Sequence, residues 1–192
     1  MPMYKNRVPM DPATELRRYT TTDALAEMLR NRRLRLTRVD TFPDPFEGSV
    51  PKRQIDDQLP IFSSRNAALM MSVGAYYPSM SMPPRLSLDP WTEMTLRRRA
   101  KTRSAHASCW TAGHESEAMW RLYCRDGGPE GQGVSLRSTM GKIETSVAHH
   151  DLFVSPIRYR YYHEGDAFDD ELDPFMHKRM GFAHEREVRL LI

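Results

Sequence analysis

The last nine residues, from His184 to Ile192, hold two carboxylates one residue apart, Glu185 and Glu187, with Arg189 two positions further on. Read as a strand, Glu185, Glu187, Arg189 and Leu191 share one face, with successive same-face residues about 7 Å apart. Two carboxylates at that range raise each other's pKa unless a cation such as Arg189 offsets them, which is the setting of an acidic catalytic dyad. The same pattern fits a surface ladder of exposed ion pairs, contributing about 0–1 kcal/mol. A zinc-protease motif is excluded, because Val188 stands where the second histidine of His-Glu-x-x-His would fall.

Three other stretches offer binding chemistry. In residues 15–23, Arg18 and Thr20 fall on one strand face, and Arg17 and Tyr19 on the other. An arginine on a strand just before a helix can clamp a phosphate, because its planar fork of donors matches phosphate oxygens and the helix start adds unpaired N–H groups. An edge strand with solvent-facing arginines fits equally well. In residues 105–112, Ala105, Ala107, Cys109 and Thr111 form a small, buriable face, while His106, Ser108 and Trp110 form the more polar one. Ser108 there suits a ribose hydroxyl, and Trp110 or Trp120 a heteroaromatic ring, unless both tryptophans belong to the core. Nothing local supports Cys109 as a nucleophile with His106 or His184. The loop 42–48 carries Asp44 and Glu47 on a proline-rigid frame between Phe42 and Phe46, a composition that caps a site or simply pins the loop to the core. His149-His150-Asp151 is a conceivable metal patch and more commonly an exposed loop, so no metal is expected.

The elements that must position these residues are short and irregular. Residues 16–20 read as a strand. A helix follows with Thr22 as its N-cap, a second strand spans 34–39, and 40–51 is a proline-rich loop. Residues 81–90 break any helix, and 91–103 suit one. Further on, 115–124 reads as a helix, 126–133 as a turn, 134–138 as a strand and 138–147 as a helix. A strand over 152–162, bulged or at an edge because of Pro156, precedes a partly helical 169–185 and the final strand. The pattern predicts a single α+β domain over residues 1–192, with an irregular mixed or antiparallel sheet of short strands flanked by helices.

The chain has 192 residues, 40% hydrophobic and 28% charged, enough for one domain with its own core. It lacks an apolar run near 18 residues and a signal-peptide pattern, so a cytoplasmic, non-membrane protein is expected. Cys109 and Cys124 are too few for a disulfide framework. The net charge is +3, but residues 30–38 and 97–103 are strongly basic. Such runs can grip a polyanion, although most are solvated helix faces. The apolar stop at Ile192 raises the expectation of a C-terminal continuation.

The segments "LRRYTTTDALAEMLRNRRLRL", "DTFPDPFEG", "ASCWT", "EAMWRLYCRDGGPEGQGVSLRS", "IRYR" and "HEREVRLL" together resemble, in order, the bacterial family named domain of unknown function 2971. The resemblance covers most of residues 16–192. Pro43 stands where that family usually has asparagine, Trp110-Thr111 replaces Phe-Ser, and the family runs on past its Glu-x-Glu strand. More distantly, the layout is similar to ADP-ribosyltransferases. That likeness implies an NAD cleft, with Arg18 on the pyrophosphate, Tyr19 and Thr20 beside it, and Ser108 in mid-chain. Trp110 or Tyr19 would stack on a ring, Glu187 would hold the ribose, and Glu185 would orient the acceptor. Asp44, Phe46 and Glu47 would form a loop near the site. The implied acceptor is a protein or a nucleic acid, and a role in toxicity or antiviral defence would suit either. The competing expectations are a nucleic-acid-binding module using 30–38 and 97–103, and a non-enzymatic interaction or immunity protein.

Overall fold

The computed structural model describes residues 7–58, 90–124, 133–163 and 167–192, with left-handed backbone at Arg32, after the first helix, and at Gly113. β1 (Glu15–Thr21) passes directly into α1 (Thr22–Asn31). The cap is Thr21 rather than Thr22: its hydroxyl accepts from Ala24 N at 3.2 Å. Arg32 closes the helix in the left-handed region at φ 50°. The strand expected over 34–39 shrinks to β2 (Thr37–Arg38), followed by a 3-10 turn at Val39–Thr41. Residues 52–58 are helical (α2). The helix-breaking stretch 81–90 lies outside the described residues apart from Pro90, which opens α3 (Pro90–Ser104). The missing N–H of proline costs nothing in a first turn.

β3 (His106–Ala112), α4 (Glu117–Tyr123), β4 (Gly133–Thr139) and α5 (Met140–Val147) follow. The turn expected at 126–133 falls outside the described residues except for Gly133. The strand expected over 152–162 is broken at Pro156 and Ile157 into β5 (Phe153–Pro156) and β6 (Arg158–Arg160), which join different sheets. Then come α6 (Asp173–Met176), β7 (His177–Arg179), a 3-10 segment at Met180–Glu185 and β8 (Glu187–Leu191).

The main sheet runs β4-β1-β3-β8-β5 with β2 on β3, antiparallel at every pairing, while β6 and β7 form a small parallel pair. The architecture is α+β. β1 and β3 pair only at Leu16↔Ala112 and Arg17↔Thr111, and β2 takes over the same edge of β3 at Ala107 and His106. The sheet is therefore split between β1 and β2. The last residue is tied in, with His106 and Ile192 exchanging backbone hydrogen bonds at 2.9 and 3.0 Å.

Directly opposed residues of neighbouring antiparallel strands project to the same face. One face carries Leu16, Trp110, Val188 and Leu190 against Met140 and Ile143 of α5, an apolar core. Each large side chain buried there contributes about 1.5–3 kcal/mol. The other face carries Arg17, Thr111, Cys109, Glu187 and Arg189, and is covered by α4 near β1 and by Ile157, Phe175 and Met176 near β8. The polarity expected of β3 is thus inverted: Ser108 and Trp110 face the apolar core.

Candidate functional site

The two glutamates are not a surface ladder. Glu185, Glu187 and Arg189 are 5%, 3% and 0% exposed, so their charges must be balanced inside the protein. Arg186, left-handed at φ 45°, ends the 3-10 segment before β8 begins and breaks the strand alternation between the glutamates. Gly113, at φ 98°, leaves the room beside β3 that the Arg186 guanidinium occupies; a Cβ there would lie 2.8 Å from Nη1. With the chain turned this way, Lys178 Nζ sits 2.7 Å from Glu185 Oε2 and 2.7 Å from Glu187 Oε2. The Glu187 contact is a charge contact outside hydrogen-bond geometry.

Arg189 is the hub on the other side. Its Nε donates to Glu187 Oε1 at 2.8 Å, and Nη1 donates to Glu47 Oε1 at 2.6 Å and to the Phe175 carbonyl at 2.5 Å. Tyr123 at the end of α4 donates to Glu185 Oε1 at 3.0 Å, and the Glu187 N–H donates to Tyr159 Oη at 2.7 Å. Burial alone would raise the Glu187 pKa, but Arg189 and Lys178 hold it down at about 2. Burial would also lower the pKa values of Arg189 and Lys178, yet Glu187, with Glu47 beside Arg189 and Glu185 beside Lys178, raises both. Glu187 is therefore a permanently ionised carboxylate at neutral pH. Cys109, opposite Arg189, has its thiol pushed up by burial and then by the Glu187 charge, which removes it as a nucleophile.

The register places Arg17, Thr111 and Glu187 in one row across three adjacent strands and on one face. With strands about 4.8 Å apart, the row spans about 10 Å from β1 to β8. Arg137 lies opposite Arg17 on β4. Both guanidinium groups flank one carboxylate, Glu15, at 2.7 and 3.9 Å, leaving that end of the row with excess positive charge. Arg17 Nε is buried without a hydrogen-bond partner.

Several expected site residues lie elsewhere or have other tasks. Arg18 and Ser108 do meet, through a hydrogen bond from Arg18 Nη1 to Ser108 Oγ, but on the face opposite Glu187. Arg18 also reaches the Arg35 carbonyl at 3.4–3.5 Å, stapling the split between β1 and β2. Burial lowers its pKa. Thr20 shares that face of β1. Trp110 is enclosed in the apolar core and has no open ring face to stack on a ligand. Tyr19 is on the polar face, but its hydroxyl accepts from Ser116 N at 3.0 Å and its ring meets Trp120 edge-on at 5.1 Å, so it anchors α4.

The loop 42–48 does reach the network. Glu47 pairs with Arg189, Asp44 accepts from Arg179 at 2.8 Å, and Phe46 lies under the Arg179 guanidinium at 4.4 Å. Lys178, Tyr123, Tyr159, Arg17, Thr111 and Arg137 were not expected at the site. Arg17, Thr111, Tyr123, Arg137 and Tyr159 lie in the segments that carry the resemblance, whereas Lys178 lies outside them. The described cavities lie outside the row: one of about 480 Å³ adjoins Phe46 and Arg179, and one of about 600 Å³ lies between α3 and Phe175. Among the described residues no group of three or more His, Cys, Asp or Glu side chains is placed to hold a metal, and no helix is long and apolar enough to cross a membrane.

No family model matches the chain, and no curated protein or solved structure matches it with significance. The likeness of the motifs to family 2971 rests on the residues alone.

Proposed function

We propose that the polar face of the sheet carries a site for NAD-dependent ADP-ribosyl transfer to a macromolecular acceptor, a reading that rests on the resemblance set out above. The observation that carries it is the row Arg17–Thr111–Glu187, cationic at its β1 end and anionic at its β8 end. A pyrophosphate suits Arg17 and Arg137, whose fork geometry matches phosphate oxygens. A ribose hydroxyl suits Thr111 and the ionised Glu187. These residues replace Arg18, Ser108 and Trp110 in the assignment, because those three side chains project to the opposite face.

The residue chemistry fits the reaction. Heterolysis of the bond between nicotinamide and ribose C1′ sends the bonding electrons out with neutral nicotinamide and leaves an oxocarbenium-like carbon. An acceptor nucleophile bonds to C1′ and releases its proton. An ionised carboxylate fixed in place stabilises the developing positive charge without reorganising, as in glycoside cleavage. Glu187 has that character, since Arg189 and Lys178 keep it charged. Glu185, bonded to the half-exposed Tyr123, suits the acceptor proton. Transfer of label from adenylate-labelled NAD+ into protein and nucleic-acid fractions tests the proposal. Label should enter one of them with the wild type and fall sharply with Glu185→Gln. Absence of label from both with the wild-type chain would overturn it.

A further inference from the structure

The 480 Å³ cavity beside the loop 44–47 is not used by the row, and its chemistry is distinct. Its walls come from the loop after Phe46, from residues 160–163 and from Arg179–Gly181. The lining includes the aromatic rings of Phe46, Tyr161 and Tyr162 and the cations Arg98, Arg160 and Arg179, without a carboxylate among the described lining residues. The neighbouring cavity, by contrast, mixes Arg97 and Lys101 with Asp169, Asp170 and Glu171. Phe46 and Tyr161 are 47% and 54% exposed, large rings that an ordinary surface does not leave open side by side. Ser49, which is 8% exposed, also lines the cavity, and its Oγ is buried without a hydrogen-bond partner. Two of the lining cations are already paired with carboxylates, Arg179 with Asp44 and Lys52 with Asp56, while Arg98 donates to the Pro45 carbonyl at 2.6 Å.

Aromatic faces next to guanidinium groups, with no carboxylate among the described lining residues, suit a ligand that is planar at one end and anionic at the other. The volume is within the range of small-ligand pockets. We infer that this cavity binds a nucleotide unit, its base against Tyr161 and its phosphate at Arg98. The unit is either a free mononucleotide or one residue of a single strand; both present the same ring and phosphate. The site lies across the loop from Glu187 and does not depend on NAD chemistry there.

The test is a titration of the full chain with AMP and, separately, with a fluorescein-labelled octanucleotide of deoxyadenosine. The wild type should bind at least one of them. Tyr161→Ala should weaken binding about tenfold, as expected for loss of one stacked ring, and Tyr161→Phe should restore it. Arg98→Ala should weaken binding comparably, whereas Arg99→Ala, an equal charge change on the same exposed helix outside the cavity, should leave it within about twofold. Stronger binding of the octanucleotide than of AMP assigns the unit to a single strand; equal or weaker binding assigns it to a free nucleotide. Absence of binding to both overturns the inference. So does binding that Tyr161→Ala leaves unchanged, or that Arg99→Ala weakens as much as Arg98→Ala does. Because no variant touches Arg17, Thr111, Glu185 or Glu187, failure here leaves the transferase proposal standing, and the reverse also holds.

Discussion

Lys178 Nζ lies 2.7 Å from a carboxylate oxygen of Glu185 and 2.7 Å from one of Glu187, joining through one buried ammonium two side chains that strand alternation alone would hold about 7 Å apart. Removing that charge leaves, among the described residues, Glu185 bonded to Tyr123 and Glu187 to Arg189. Lys178→Met should destabilise the chain by about 3–5 kcal/mol in urea unfolding, the usual cost of stripping one partner from a buried ion pair. A loss below about 1 kcal/mol would mean that the ammonium is solvated and the network open.

Acid should weaken the protein through Glu187. Its folded pKa, about 2, lies below the ordinary 4.5, so its contribution is fully present above pH 4.5 and is lost as pH falls from there through about 2. Unfolding free energy measured from pH 6 to pH 2 should therefore fall, and Glu187→Gln should flatten that fall. Curves of equal steepness for the two proteins would contradict the assignment.

The thiols should be inert. Burial pushes up the Cys109 and Cys124 thiols, and Glu187 adds to the effect at Cys109. Labelling by a disulfide reagent at pH 8 should be slow in the native chain and faster for Cys109 in Glu187→Gln. Rapid labelling of the wild type would contradict a buried thiol held protonated.

Arg17 and Arg18 are adjacent in sequence and should behave oppositely. Arg18→Met removes the staple to Ser108 and the Arg35 carbonyl, costing roughly 1–3 kcal/mol of stability, with NAD affinity unchanged. Arg17→Met should weaken NAD binding roughly tenfold or more by removing charge-assisted donors. Calorimetric titration and urea unfolding of the pair separate the two roles.

That pair also marks how far the sequence can be read. Strand positions at 16–20, 105–112 and 188–192 follow from alternation and branched or aromatic content, and the Glu-x-Glu-x-Arg ending is visible as a charge cluster. Which face holds the chemistry is not visible. Ser108 and Trp110 look more polar than Cys109 and Thr111, yet Leu16, Met140 and Ile143 close over Trp110, while partners 142 and 7 residues away, Glu47 for Arg189 and Lys178 for Glu185, let charge be buried on the other face. Register and distant partners decide this, and neither leaves a local signature. The left-handed Arg186 is equally silent, because an arginine at positive φ has no composition signal.

The most direct test is nicotinamide release from NAD+ by the purified chain, supplied with protein and nucleic-acid acceptors. Release should be time-dependent, and Glu187→Gln should lower it about 100-fold or more while circular dichroism shows the fold retained. Wild-type chain that releases no nicotinamide with any acceptor, or a folded Glu187→Gln variant that releases it at the wild-type rate, would contradict the account.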